Sequence, residues 1–319
     1  MTHPSLWQAA QDEMAEYHFH APLELQPKWD IPDTIALNVA VAGRVDDSGS
    51  PYPTSLEEYL DAAREVISAG AAGIHLDFTF VTDKQGRRLD KDMAPADGYR
   101  TILEPLREEF GWSFMSNLNV LNGPTFEECL RPATEGLAEV APSAAGHPPA
   151  FMVPALQRLK ELGIKPQIAI HSSGEIELAK RKLVDAGIVE LPAYWILLYG
   201  MPFNCGRTLL SGTWVSNPLD MAQHMFLMVQ QIRQIDPHGV IEVCAAGRAT
   251  LYMTTLATMF GLNIRVGTED TKWKYPNSDE TFANNLEMVE MAKEIAKLHG
   301  RRLATADEFR AQLGMATKG

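Results

Sequence analysis

The segment Ile264-Arg265-Val266-Gly267-Thr268-Glu269-Asp270 sets an arginine and two adjacent carboxylates at the end of a short apolar run. If that run is a strand, its side chains alternate. Arg265 and Glu269 then share a face, and Asp270 follows where the chain leaves the strand. A guanidinium can bind an anion, one carboxylate can hold a metal ion and the other can move a proton. Alone, the same residues read equally as a surface ion pair after a core strand.

Further polar residues occur at comparable places. His75 and Asp77 stand two apart in Ile74-His75-Leu76-Asp77 and so face the same way. Such a pair can share a divalent metal, zinc or a harder ion such as manganese; the alternative is a hydrogen-bonded core histidine beside a cap residue. His171 ends another apolar run, as a third ligand, a general base or a satisfied rim histidine. Glu139 lies in an apolar stretch, where a carboxylate is costly unless paired or metal-bound; it is solvated if the strand boundary falls elsewhere. Ser116, Asn117 and Asn119 are neutral groups suited to orienting a substrate, or ordinary polar residues where a loop begins. Gly247-Arg248 precedes a helix, where backbone N–H groups and an arginine favour an anion, although such an arginine also suits solvent. Arg44 is a weaker case of the same kind.

These residues must be positioned by the elements around them. Apolar runs at 35–42, 73–78, 113–118, 137–141, 167–171, 194–199, 239–245 and 263–266 predict strands. Amphipathic stretches at 56–69, 99–109, 125–129, 153–162, 176–186, 218–232, 249–260 and 282–298 predict helices. The first helix opens on a Thr54…Glu57 capping pattern, and Pro218 stands where a helix start tolerates proline. Eight β-then-α units call for parallel strands and suit a closed (β/α)8 TIM barrel over residues 35–319. A doubly wound open sheet is the alternative, weakened by the lack of GxGxxG after the first strand. In the barrel, the candidates fall at the C-terminal ends of successive strands, where such folds carry their sites. His75, Asp77 and Glu269 then form a sensible metal set. Arg265 or Arg248 would hold a carboxylate, and Asp270 or His171 would move the proton. Residues 1–34 form an N-terminal extension carrying Trp7, Tyr17, His18, Phe19, His20 and Trp29, an aromatic content unlike a disordered tail. It is expected to pack on the barrel or a neighbouring subunit. The loop 142–149 is rich in Pro, Gly and Ala and carries His147.

The composition narrows the partners. With 319 residues, 45% hydrophobic and 22% charged, the chain suits a globular protein with a large core. A net charge of -13, with no basic run interleaved with aromatics, argues against nucleic acid and requires a local positive pocket for any anionic substrate. Cys129, Cys205 and Cys244 are sparse and odd in number, with no CxxC, so neither a disulfide framework nor a structural zinc site is expected and the reducing cytoplasm is. The first residues do not resemble a signal peptide, and the longest apolar run, 194–199, is too short to span a membrane.

Arg265-Val266-Gly267-Thr268-Glu269-Asp270 resembles the R-x-G-x-E-D segment of the beta-keto acid cleavage enzymes. Ala69-Gly70-Ala71-Ala72-Gly73-Ile74-His75 resembles that family's A-G-A-x-x-(I/V)-H run. Arg301-Arg302-Leu303-Ala304-Thr305, Arg310 and Leu313-Gly314 resemble its G-R-x-x-A-T…R…L-G ending, and Val41-Ala42-Gly43, Pro53 to Glu58 and Ala246-Gly247-Arg248 also fit. The resemblance covers roughly residues 35–314. It implies a zinc-bearing barrel, usually tetrameric, that condenses a β-keto acid with acetyl-CoA and then cleaves a C–C bond, giving acetoacetate and a new acyl-CoA. By position, Glu269 matches the metal-binding glutamate, His75 the first metal-binding histidine, Asp270 the catalytic aspartate, Arg265 the arginine beside it and Ser116 a substrate-holding serine. The chain departs from the pattern in four places. The family's H-x-H is His75-Leu76-Asp77 here; Val45, with Asp46 and Asp47 nearby, stands in place of an acidic residue; Glu139 replaces a threonine; and His171 stands where an aromatic is common.

The expected protein is therefore a metal-dependent (β/α)8 enzyme acting on a small oxo- or hydroxy-carboxylate, with acetyl-CoA as the partner that the resemblance adds. Two other readings stay open: a metal-dependent sugar-acid isomerase or epimerase using His171 and Asp270 as opposed bases, and a non-catalytic barrel whose metal site has decayed.

Overall fold

The computed structural model describes residues 5–17, 27–42, 52–78, 93–120, 124–200 and 218–319. The chain divides into Met1–Ile31 and Pro32–Gly319, so the boundary falls slightly before the expected one. The first unit holds helix α1 (Leu6–Tyr17). The second runs β1 (Thr34–Ile35), β2 (Leu37–Ala40), α2 (Leu56–Ser68), β3 (Gly73–Leu76), α3 (Pro95–Phe110), β4 (Met115–Leu118), α4 (Phe126–Thr134), β5 (Val140–Ala144) and α5 (Pro149–Glu161). It continues with β6 (Lys165–Ile170), α6 (Ser173–Ala179), β7 (Tyr194–Tyr199), α7 (Pro218–Ile235), β8 (Val240–Ala245), α8 (Thr250–Met259), β9 (Asn263–Val266), α9 (Asn285–Leu298), β10 (Arg302–Leu303) and α10 (Ala306–Gln312). Strands β2 to β9 close into a barrel in chain order. The expected TIM barrel is present, and the open sheet is excluded because β9 pairs in parallel with β2 and leaves no edge. Among the described residues no helix is long and apolar enough to cross a membrane.

Alternation along the strands builds two environments. Outward side chains such as Leu37, Val39, Ile74, Leu118, Ile168, Trp195, Val243 and Ile264 pack against Tyr59, Val66, Leu106, Leu156 and Met253 of the helices. Inward side chains are layered along the barrel axis. At the N-terminal end, Ala36, Met115, Val140 and Tyr194 form an apolar plug with Phe309 and Leu313 from α10 and its exit. Higher up, Ala169, Ile196, Leu198 and Cys244 form a second apolar cluster on β6 to β8. Between them lie Asn38, Asn117, Gln167 and Glu242, all buried.

Some boundaries differ from expectation. The α2 cap is the Ser55–Glu58 box, one residue later than predicted. Strand β1 pairs with β10 outside the barrel, a pairing too short to announce itself in sequence. Strand β5 begins at Val140, three residues late, and runs through Pro142. Its ladder to β4 is the single pair Asn117–Val140, and a proline without an N–H is tolerated where ladder bonding is sparse.

The shift of β5 places Glu139 at the barrel's N-terminal end. There its carboxylate accepts from Arg310 Nε at 2.9 Å and Arg107 Nη2 at 2.7 Å. Arg310 is fully buried and also donates to the carbonyls of Trp112 and Phe114. Arg301 donates to the carbonyls of Pro32, Thr34, Thr258 and Leu262, and burial pulls it down to about 10. Both arginines belong to the terminal motif, and both tie the chain end to the barrel floor. Glu139→Gln removes the carboxylate that faces a buried guanidinium, a change that costs roughly 3–5 kcal/mol when a buried pair is broken. The expected outcome is a clear fall in the urea unfolding midpoint of the purified protein.

Candidate active site

The site starts from the end of β9. Arg265 points into the barrel, and the chain then turns sharply at Gly267 (φ 151°). A Cβ there would stand 2.1 Å from the carbonyl oxygen of Ala40, so only glycine fits this close approach to β2. The turn is pinned to the end of β2. Thr268 Oγ1 donates to the carbonyls of Val41 and Ala42, Glu269 N donates to Ala40 O, and Asn285 at the start of α9 joins Thr268 to Val41. Glu269 therefore reaches Arg265 through a braced turn, not through the continued strand alternation that the sequence pattern suggested.

Arg265 Nε and Nη2 donate to the two oxygens of Asp270 at 3.0 and 2.9 Å, and Nη2 also donates to Glu269 Oε1 at 2.8 Å. All three side chains are buried. Burial pushes the Glu269 carboxyl up to about 8, with Arg265 opposing and Asp270 and Asp77 adding repulsion. His75 Nε2 lies 3.7 Å from Glu269 Oε1. Burial, reinforced by the charge of Arg265, holds His75 well below the usual histidine range, so the ring is neutral. Burial likewise pushes the Cys244 thiol up, with Asp270 as the next cause.

The structure thus gathers Arg265, Glu269, Asp270 and His75 in one cluster. Asp77 is buried at the same end of β3, where Asn119 Nδ2 donates to it at 2.9 Å. His171 lies just past β6, and its backbone N–H and ring Nδ1 contact Glu175 Oε2 at 2.6 and 3.1 Å. That pair belongs to the β6–α6 junction. Asn117 faces His75, with its Oδ1 3.2 Å from Nδ1.

Three expected substrate contacts lie elsewhere. Ser116 is on the opposite face of β4 from Asn117, and its hydroxyl donates to Leu137 O at 2.6 Å; strand alternation makes the two neighbours mutually exclusive inside the barrel. Glu139 is at the barrel floor, for the reason given above. Arg248 stacks over Trp273 at 3.9 Å and donates to Ser278 O and to Asp279, so its charge is spent on the 273–279 loop. Arg44, Val45, Asp46 and Asp47, together with His18, Phe19, His20 and Cys205, lie outside the described residues.

The pattern did not single out Asn38, Gln167, Tyr194 and Glu242 as functional. Asn117 Nδ2 donates to Gln167 Oε1 at 3.0 Å, and Gln167 Nε2 donates to Glu242 Oε2 at 2.7 Å. Tyr194 and Asn38 also donate to Glu242. Burial raises the Glu242 carboxyl, and the hydrogen bonds and Arg265 oppose the rise. The available signal was a polar residue at an inward position within each apolar strand.

For a divalent ion, His75 Nε2 and Glu269 Oε1 are a suitable pair. Their 3.7 Å separation matches two atoms that each reach one ion at about 2.1 Å. Among the described residues, no group of three or more His, Cys, Asp and Glu side chains is arranged as a ligand set. Asp77 would have to turn from Asn119 to complete one.

A family model for beta-keto acid cleavage enzymes matches residues 34–315. The 3-keto-5-aminohexanoate cleavage enzyme of Fusobacterium nucleatum subsp. nucleatum is 28% identical over 158 residues, 49% of this chain and 50% of that one. The enzyme of the same name from Acetoanaerobium sticklandii is 29% identical over 154 residues, 48% of this chain and 50% of that one. The chain thus spans about half the length of the curated relatives it matches. Among solved structures, ObcA with oxaloacetate superposes with a TM-score of 0.64 at 17% identity, covering 83% of this chain and 67% of that one. A type I 3-dehydroquinate dehydratase from Clostridium difficile superposes at 0.53 with 11% identity, over 84% and 93%. At these identities the structural likeness is one of fold.

The Glu269 proton is held more tightly in the folded barrel than in the unfolded chain, where the group titrates near 4.5. The stability it contributes is full below about pH 4.5, falls as pH rises and is gone above about pH 8. Glu269→Gln should remove this slope from metal-free protein, as read by denaturant unfolding across that window. An equal slope in the variant would assign the proton to another group.

Proposed function

The chain belongs to the beta-keto acid cleavage enzyme family, and from that membership we propose that it cleaves a C–C bond in a small β-keto acid, with acetyl-CoA as acyl partner and a divalent ion, zinc or manganese, held by His75 and Glu269 with Asp77. The observation that carries this reading is the buried cluster in which Arg265 holds Asp270 and Glu269 beside a neutral His75. The 3-keto-5-aminohexanoate for which the two curated relatives are named is the first substrate to test.

In this reading the ion, when bound, polarises the keto oxygen and stabilises the negative charge that develops there. Asp270, fixed by two hydrogen bonds from Arg265, takes a proton from the carbon between the keto group and the carboxylate. That carbon attacks the thioester carbonyl of acetyl-CoA and expels the CoA thiolate. The thiolate then attacks the original keto carbon, whose bond to the same carbon breaks; that carbon takes back the proton held by Asp270, leaving acetoacetate and a new acyl-CoA. Arg265 spends Nε and Nη2 on the two carboxylates, so its remaining nitrogen, Nη1, is the part that can meet a substrate carboxylate. His75 contributes an uncharged ring nitrogen beside Glu269.

Purified protein given a β-keto acid and acetyl-CoA should form acetoacetate and an acyl-CoA, and neither without acetyl-CoA. Asp270→Asn should lower kcat by about 10²- to 10⁴-fold, and chelation should abolish turnover until zinc or manganese is restored. Solvent proton exchange into the substrate without CoA would point to an isomerase instead. Because Glu269 must lose its proton to bind an ion, metal affinity should rise with pH up to about 8 and then level, which calorimetry can follow.

A further inference from the structure

We propose that the buried carboxylate of Glu242, acting through Gln167 and Asn117, fixes which ring nitrogen of His75 carries the proton and so presents a bare Nε2 to the active site. The inference rests on the reading that His75 works in that site. It comes from the direction of a hydrogen-bond chain that crosses the barrel from β8 to β3.

An ionised carboxylate only accepts hydrogen bonds. Three donors are aimed at Glu242: Asn38 Nδ2, the Tyr194 hydroxyl at 2.8 Å and Gln167 Nε2 at 2.7 Å. The amide of Gln167 can therefore face Glu242 in one way only, with its nitrogen. Its Oε1 is left to accept from Asn117 Nδ2 at 3.0 Å. That commits the amide of Asn117 in turn, and its Oδ1 faces His75 Nδ1 at 3.2 Å. An oxygen cannot donate there, so Nδ1 must. A histidine that carries one ring proton, on Nδ1, has its lone pair on Nε2, the nitrogen 3.7 Å from Glu269 Oε1. All of the relay side chains are buried, so water does not compete to scramble the orientation. A network that served only to satisfy buried polar groups would have no need to end, with defined polarity, on the far nitrogen of an active-site ring. Glu242, Gln167 and Asn117 are thus positioning residues. Their effect on a bound ion follows from the general rule that the partner of a ligating histidine fixes its tautomer.

The test is the ¹⁵N spectrum of His75 in ring-labelled, metal-free protein, assigned by its loss in His75→Gln. In the unaltered chain Nδ1 should be protonated and Nε2 bare; a proton on Nε2 overturns the relay, and this measurement needs no further variant to fold. Glu242→Gln frees Gln167 and Asn117 to turn over, so both tautomers should appear and zinc affinity should fall by about 10- to 100-fold. The double variant Glu242→Gln, Asn117→Asp moves the carboxylate to the other end of the chain. The whole chain can then reverse, and His75 should again carry its proton on Nδ1. A tautomer unchanged in Glu242→Gln, or not restored in the double variant, overturns the proposal. If the spectra behave as expected in a protein that binds no zinc, the relay stands and the metal-dependent reading fails by itself.

Discussion

One buried guanidinium holds two buried carboxylates at the mouth of this barrel. Arg265 brings one positive charge to Asp270 and Glu269, which together bring two negative charges when both are ionised. Burial makes the surplus charge expensive, and Glu269 answers by keeping a proton to about pH 8. The site is therefore short of one positive charge. The proton on Glu269 supplies it, and His75 Nε2 stands 3.7 Å from Glu269 Oε1. The turn at Gly267, the threonine brace and the asparagine that opens α9 all serve to hold this arrangement against β2.

Along the barrel axis, the interior separates tasks by depth. The floor is an apolar plug sealed by α10 and the Glu139–Arg310 lock. Above it lies a belt of hydrogen-bonded polar residues, and above that the charged mouth. A carboxylate such as Glu242 can sit at zero exposure because every side of it that matters faces a donor. The belt links Glu242 on β8 to His75 on β3 through side-chain hydrogen bonds rather than through loops.

Much of this could be read from residue order. The alternation of apolar runs with amphipathic stretches specified the barrel, because each inward and outward strand face leaves a period that survives in sequence. Arg265, Glu269, Asp270 and His75 were legible because polar residues at the end of an apolar strand have few reasons to be there. Glu139 falls inside the apolar run 137–141, but β5 starts only at Val140, so the carboxylate that the run places within a strand sits at the barrel floor. Ser116 misled because its neighbour Asn117 takes the inward position. Arg248 looked free because its partners in the 273–279 loop are about thirty residues distant, beyond any local pattern. The belt of Asn38, Gln167 and Glu242 escaped notice since each residue, taken singly, looks like a lone polar interruption; only the closed barrel shows that the three meet.

The braced turn after β9 has one more consequence. It rests on the end of β2, at the seam where the last strand of the barrel meets the first. During synthesis, the acidic pair cannot be assembled until more than two hundred residues have emerged and the two ends of the sheet have found each other. A nascent or truncated chain that has folded some of its βα units would carry His75 but not its partners. Acquisition of the site is thereby coupled to a strongly non-local contact, which must close a long stretch of chain before it forms. A partly built barrel lacks the cluster that the closed one gathers.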